Sequence, residues 1–339
     1  MNELIKHLME KYGLGAVQGE ILPVSGGFMH KMYKVKTLSG TYAVKCLNPD
    51  IMKRPGVMEN YERAEALERI LEESDVPVIS ALSFAGRKML ETDGRFFYVF
   101  IWLEGHITDF NDIKEEQCFI AGKILGRIHS IGYRNAASGE YAATPELSSI
   151  DFCSYIKLAR EKSSSILSDL EDNLPLLESA QNSLNKARTS LPQIRSIIND
   201  DMDPKNVMWS DGKAYVIDLE CLDYGNPVAS VLNLAMQWAG TVNGKYSSRN
   251  LEAFFRGYIS KYDNGFRSYG ELYGIVYSWV EWLEYNIRRA LGLEGSDDIG
   301  IGESEVRNTI ARIGYLASLE TEICSVLGRL SEFKTEVDR

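Results

Sequence analysis

Ile197-Ile198-Asn199-Asp200-Asp201-Met202-Asp203-Pro204-Lys205-Asn206-Val207-Met208-Trp209 is the stretch on which the reading of this sequence turns. An apolar, strand-like start runs into a loop in which Asp201 stands five residues before Asn206. Val207–Trp209 is again β-rich, Ser210-Asp211-Gly212-Lys213 follows, and Ala214–Ile217 is a second β-rich run. Asp-Gly between two such runs is a hairpin signal. A hairpin folds back on itself, so it returns Asp218 at its far end to the neighbourhood of Asn206 at its start. The sequence thus predicts the convergence of a carboxylate (Asp201), an amide oxygen (Asn206) and a second carboxylate (Asp218). Acidic and Asn residues also crowd ordinary turns; the second aspartate, in register with the hairpin, lifts this set above them.

That donor set suits phosphoryl transfer. Magnesium takes oxygen ligands, commonly one or two protein carboxylates with nucleotide phosphates and water. Asn206 and Asp218 are therefore the candidate metal ligands. Asp201 is the candidate base, orienting a hydroxyl and accepting its proton. The spacing resembles the kinase catalytic loop H-R-D-L-x-x-x-N, and Asp218-Leu219-Glu220 stands where kinases place D-F-G. Upstream, Tyr42-Ala43-Val44-Lys45 resembles the V-A-I-K strand, which makes Lys45 the candidate contact to the α- and β-phosphates. Ahead of it, Ser25, Gly26 and Gly27 form a turn whose backbone amides could approach phosphates, glycine having no side chain in the way. The lysine's expected partner is a glutamate of the next helix, where Glu59, Glu62, Glu65 and Glu68 lie. Glu65 has the best register, and Glu62 the next best.

Working outward, the first hundred residues read as strands around one main helix. Ile21–Ser25, Met32–Thr37, Thr41–Leu47, Ser80–Phe84 and Phe96–Leu103 are the expected strands, and Glu59–Glu73 is the helix, with Ala64, Leu67, Ile70 and Leu71 at helical spacing. After Glu104-Gly105 the pattern turns helical: Ile113–Ser130, Phe152–Thr189, Leu251–Tyr262, Tyr273–Leu291 and Glu303–Phe333. The expected fold class is α+β and bilobal. A small antiparallel N-terminal sheet lobe over residues 1–103 binds nucleotide; a larger, mostly helical lobe over 104–339 carries catalysis and acceptor binding.

Together these stretches resemble the aminoglycoside phosphotransferase and choline kinase superfamily. The likeness runs from about Leu22 to Asn233 and rests also on Trp102-Leu103-Glu104-Gly105, Leu125–Ser130 and Val216–Glu220. It implies a protein-kinase-like fold, with magnesium and ATP or GTP bound near Phe100–Leu103, so that Phe100 and Trp102 become nucleotide contacts. It implies an acceptor site among the later helices. It also places His129 at a helix end as a structural hydrogen-bonder rather than a base. The sequence departs from the family at Asn199, where histidine is common.

For the acceptor, Tyr273–Arg289 offers two faces. Val276, Trp279, Leu283, Ile287 and Ala290 form a core stripe, which leaves Tyr277, Glu281, Glu284 and Tyr285 on another face with Trp282 at its edge. Aromatics among carboxylates could hold an ammonium group, although such a face also suits plain packing. Asp203 and Glu220 are further acidic candidates. A net charge of −11 leaves room for a cationic acceptor and disfavours nucleic acid. The five scattered cysteines show no CxxC spacing, against a disulfide framework or zinc site. The longest apolar run, Phe96–Leu103, has eight residues, well below the roughly 20 of a membrane span. A cytoplasmic monomer or homodimer, partnered by nucleotide and a small acceptor, is expected, with no membrane contact.

Overall fold

The computed structural model of the chain describes residues 1–24, 30–136, 146–294 and 298–330. Its strands are β1 (Leu22–Val24), β2 (Lys31–Lys36), β3 (Thr41–Cys46), β4 (Leu90–Thr92), β5 (Arg95–Ile101), β6 (His106–Ile107), β7 (Ser196–Asn199), β8 (Val207–Ser210), β9 (Lys213–Val216) and β10 (Leu222–Gly225). Its helices are α1 (Asn2–Lys11), α2 (Pro49–Met52), α3 (Val57–Glu73), α4 (Glu115–Ala136), α5 (Phe152–Glu161), α6 (Leu167–Thr189), α7 (Pro227–Trp238), α8 (Ser248–Ile259), α9 (Trp279–Ala290) and α10 (Ile299–Arg329). Two compact units result: Met1–Ile107 with Asn206–Asp223, and Thr108–Lys205 with Tyr224–Arg339. The boundary expected at 103/104 thus lies at 107/108, and the hairpin of β8 and β9 is returned to the first unit. Backbone pairing is the reason. β8 is bonded to β6 on one side and β9 on the other, and Ile79 donates its N–H to Val216 O.

In the first unit, an antiparallel sheet runs in the order β1-β2-β3-β5-β4. Strand alternation divides its side chains between two apolar layers. Val35, Tyr42, Val44, Phe97 and Val99 pack with Ile5, Leu8 and Met9 of α1. Leu47, Phe96, Tyr98 and Phe100 gather with Tyr61 of α3. Lys45, between Val44 and Cys46, therefore points to the α3 side. Helix α1 was not among the expected elements, yet Ile5, Leu8 and Met9 stand at the i, i+3, i+4 spacing of a buried stripe and are fully buried. Each is worth about 1.5–3 kcal/mol on burial. Ser80–Phe84, expected as a strand, is a connecting segment instead. Ala81 N–H is taken by the Glu68 carboxylate and Leu82 N–H by Val99 O. The fifth strand is β4, turned into β5 by Asp93-Gly94, both left-handed.

In the second unit, α4 and α8 cross at backbone contact. A Cβ at Gly122 would sit 2.0 Å from Phe254 O, and one at Gly257 would sit 2.0 Å from Phe119 O, so only glycine admits this approach. The same helix α4 lies against β7, and Ser196 Oγ donates to the carbonyl of His129. This contact positions the strand that leads into Asp201. Phe152–Thr189, read as one helical stretch, is broken into α5 and α6 where Ser163 turns left-handed. Tyr269–Ser278 coils as a 3₁₀-helix ahead of α9. Its tighter turn rotates Tyr277 into the core, away from the acceptor-facing position expected of it, with its hydroxyl on Glu320 at 3.2 Å.

Candidate active site

The hairpin forms as its sequence predicts. Val207 pairs with Val216 and Ser210 with Lys213, and Asp211 and Gly212 both take positive φ (48° and 73°), as a tight two-residue hairpin turn requires. Ile217 N–H donates to Asn206 O at 2.9 Å, which brings Asn206 and the start of Asp218 to one end of the ladder. Asn206 is buried. Asp218 adopts φ 59°, ψ 71°, a left-handed conformation that costs a non-glycine residue about 1–2 kcal/mol. Such strain persists where the surroundings impose it, and it gathers at functional sites.

Lys45 meets that aspartate. Its ammonium donates to Asp218 Oδ1 at 2.8 Å and lies 2.8 Å from Glu220 Oε1. Burial works to lower the pKa of Lys45; the charges of Glu220 and then Asp218 outweigh it and hold the group above the usual lysine value. The lysine side chain is 7% exposed while Asp218 is 37% exposed, so the pair is closed on one side and open on the other. Glu220, an acceptor candidate in the sequence, is instead committed to Lys45 and to His30, whose Nε2 lies 3.3 Å from its Oε2.

The glutamate pairing expected from α3 is not what the structure shows. Glu65 accepts Met89 N–H at 2.9 Å, the Tyr98 hydroxyl at 3.0 Å and Lys88 N–H at 3.4 Å. Glu68 and Glu72 hold the Lys88 ammonium. Glu65, Glu68 and Glu72 pin the Ala81–Met89 segment, while Glu59 and Glu62 are exposed. Glu65 does line a cavity of about 20 Å³, with Tyr61, Glu68, Tyr98, Phe100, Asp218 and Glu220, which has room for about one water. Phe100 is half-buried there. Trp102 donates its indole N–H to Glu104 at 2.7 Å, and the Lys34 ammonium covers its ring at 4.1 Å. Ser25, Gly26 and Gly27 lie outside the described residues.

In the second unit, Asp201 is held from below. Asn199, fully buried, accepts the Asp201 N–H on Oδ1 at 3.3 Å, and its own carbonyl accepts Met202 N–H. Trp238 donates its indole N–H to Met202 O at 3.0 Å. Asn199 therefore supplies the hydrogen bond that orders the loop. Asp203 is buried, caps Lys205 N–H at 3.0 Å and binds the Lys205 ammonium at 2.9 Å, which removes it from the acceptor candidates. That ammonium also stands 3.7 Å from Asp201 Oδ1. His129 is sealed in the core with Nδ1 at 2.9 Å from the Tyr258 hydroxyl; burial drives its pKa down to about 3 and keeps it neutral. It is a packing residue, not a base.

The α9 face is more occupied than its sequence suggests. Glu281 receives both terminal nitrogens of Arg188, at 2.6 and 2.8 Å, and Glu284 accepts the Tyr155 hydroxyl at 2.9 Å. The Trp282 and Tyr285 rings are tilted by 36° with centroids 5.5 Å apart, the Arg289 guanidinium lies 5.5 Å from the Tyr285 ring, and Trp282 is the more exposed of the two aromatics. His30 was not among the expected site residues; its position three residues after Gly27 and just before β2 was the available signal. Among the described residues, no group of three or more His, Cys, Asp or Glu could hold a metal, and no helix is long and apolar enough to cross a membrane. Magnesium needs only one or two protein oxygens, so the carboxylate of Asp218 and the amide of Asn206 fit it chemically.

The profile of the phosphotransferase enzyme family matches residues 20–272. The chain belongs to this phosphotransferase family. Solved structures share its kinase-like fold at low identity. Spectinomycin phosphotransferase, in complex with ADP and spectinomycin, is 13% identical with a TM-score of 0.63, over 94% of this chain and 98% of that one. The microcompartment-associated aminopropanol kinase is 16% identical with a TM-score of 0.61, over 96% and 99%. The choline kinase LicA from Streptococcus pneumoniae is 17% identical with a TM-score of 0.60, over 94% and 99%. No curated protein sequence matches the chain.

Proposed function

We propose that this phosphotransferase moves the γ-phosphoryl group of ATP or GTP to a hydroxyl of a small, amine-bearing acceptor. The observation that carries the reading is the Lys45–Asp218 contact at 2.8 Å. A buried phosphate-binding cation is thereby joined to an open carboxylate, in the unit that also aligns Asn206. In this reading Asp201 orients the acceptor hydroxyl and takes its proton as oxygen bonds to the γ-phosphorus. The bond from that phosphorus to the bridging oxygen breaks, and its electron pair leaves with the nucleoside diphosphate. Lys45 holds the α- and β-phosphates. Magnesium, held by Asn206 and Asp218, would neutralise the charge shared by the β- and γ-phosphates. The Lys205 ammonium stands 3.7 Å from Asp201 Oδ1, a cation beside the base.

For the acceptor, the support is coarser. Spectinomycin, choline and aminopropanol, named with the structures above, all join a nitrogen that is cationic at neutral pH to a hydroxyl, and the chain's net charge of −11 favours a cation. The α9 carboxylates give less support, since Glu281 is neutralised by Arg188. The test is ATP consumption with magnesium across amino alcohols, aminoglycosides, sugars and nucleosides, with Asp201→Ala beside the wild type. A substrate should emerge, and the variant should turn it over about 10²–10⁴-fold more slowly while still binding nucleotide. Near-normal turnover by Asp201→Ala would remove the base assignment.

A further inference from the structure

Asn48 decides the state of His30. Its backbone N–H donates to Nδ1 at 3.0 Å, so Nδ1 presents a lone pair, and the proton of the neutral ring sits on Nε2. That N–H faces Glu220 Oε2 at 3.3 Å, with the Tyr61 hydroxyl 3.4 Å from the same nitrogen. The other carboxylate oxygen of Glu220 lies 2.8 Å from Lys45 Nζ, and Lys45 Nζ lies 2.8 Å from Asp218 Oδ1. Four side chains from three segments thus form one line: His30 before β2, Lys45 on β3, and Glu220 and Asp218 after β9. The line is 10%, 18% and 7% exposed at His30, Glu220 and Lys45, and it opens only at Asp218.

We propose that His30 is the positioning residue of the phosphate-binding lysine: its Nε2–H fixes the Glu220 carboxylate, and Glu220 holds the Lys45 ammonium against Asp218. Lysine has a flexible four-carbon stem, so its ammonium stays in one place only if something holds it from the side. Glu65, Glu68 and Glu72 of α3 are engaged by Met89, Tyr98, Ala81 and Lys88, and Glu59 and Glu62 are exposed; the carboxylates on the Lys45 ammonium are those of Glu220 and Asp218. A buried carboxylate with one oxygen on Lys45 needs a donor for the other, because an unmet acceptor in a low-dielectric site is costly. His30 Nε2–H is such a donor at 3.3 Å from Oε2, with the Tyr61 hydroxyl beside it. One consequence is that the lysine is anchored by the same short segment, Asp218-Leu219-Glu220, that presents the candidate metal ligand. A displacement of α3 would not release it. The inference rests on the phosphotransfer reading of Lys45.

Three substitutions separate the parts. His30→Asn keeps an oxygen where Nδ1 accepts from Asn48 but removes the donor to Glu220, and His30→Leu removes both. His30→Gln carries an N–H out to the Nε2 position. Calorimetry with ATP and magnesium should show affinity about 5- to 20-fold weaker in His30→Asn and His30→Leu, and within about twofold of wild type in His30→Gln. KM for ATP should rise more than kcat falls. In a Lys45→Met background, His30→Asn should add less than about a twofold loss, because a residue acting through Lys45 has nothing left to act on. The same loss with and without Lys45, or full affinity in His30→Asn, overturns the proposal. Those outcomes leave the phosphotransfer reading standing provided that Lys45→Met itself weakens ATP binding. A wild-type protein that binds no nucleotide sinks both.

Discussion

Lys45 and Lys88 are the two buried lysines of the first unit, and each meets two carboxylates. Lys88 is 3% exposed and touches Glu68 at 3.0 Å and Glu72 at 2.9 Å. Lys45 is 7% exposed and touches Asp218 and Glu220, both at 2.8 Å. The Lys88 carboxylates rise from one helix, α3, which also grips the backbone at Ala81, Lys88 and Met89. That arrangement staples a connecting segment to the helix. The Lys45 carboxylates stand two residues apart on one turn, and one of them, Asp218, is strained and open. A buried ion pair alone therefore says little about function. What separates the two is the open side, where charge remains available to something that is not protein.

The largest expected effect tests the open side. Asp218→Asn keeps a residue tolerant of the left-handed conformation but removes the charge, and should lower magnesium-dependent kcat by about 10³-fold or more. Its melting curve should stay near that of the wild type. Unchanged metal-titration kinetics would erase the distinction between the two lysines.

Next comes the exchange of the lysines themselves. Lys45→Met should reduce kcat/KM for ATP by about 10- to 100-fold and also lose some stability, because Glu220 keeps only its neighbours on the His30 side. Lys88→Met should leave kcat/KM near the wild-type value and cost about 3 kcal/mol, because Glu68 is left buried without its counter-charge. The loss should also depend on pH in a set direction. Burial raises the Glu68 pKa and Lys88 opposes the rise, so in Lys88→Met the folded-state value climbs further above that of the unfolded chain. A raised folded pKa contributes stability that is present below the unfolded pKa and lost as pH rises through the folded one. The Lys88→Met deficit, measured by urea melts, should therefore be smaller near about pH 5 than near about pH 8. A deficit independent of pH would show that the charge on Glu68 is not its cause.

The smallest effect lies in salt. Lys88 and Glu68 are both buried and little screened, so the stability conferred by Lys88 should hardly change with ionic strength. KM for an amine acceptor should rise about two- to threefold between about 0.05 and 0.5 M salt, as the attraction of the acidic protein is screened. A salt-independent KM would point to a neutral acceptor and leave phosphotransfer untouched.

The hairpin after Asn206 was legible because its signal is local: Asp211-Gly212 is one of few dipeptides that accept two successive positive φ values between strands. The order of elements from β2 to α3 was legible for the same reason. Helix α1 carried an equally plain signal in Ile5, Leu8 and Met9, which stand at helical spacing. Ser80–Phe84 was misread because a β-rich run looks the same whether its N–H groups go to a strand or, as here, partly to a glutamate of α3. Tyr277 was misplaced because a helical wheel assumes 3.6 residues per turn, and its segment coils at three.

What the sequence by itself determined is the chain's family, its division into a sheet-rich and a helical part, and which residue types stand at each position of the Asp201–Asn206 loop. Those properties reside in short spacings and in the periodicity of apolar residues. Only the tertiary structure decided which carboxylate holds which cation. Spacing ranked Glu65 first among the glutamates of α3, but the pairing is made by partners far away in sequence: Ala81, Lys88, Met89 and Tyr98 claim Glu65, Glu68 and Glu72, and Lys45 is left to Glu220 and Asp218. A carboxylate binds the donors that burial brings to it, because in a low-dielectric interior each charge must be met by the nearest group able to meet it.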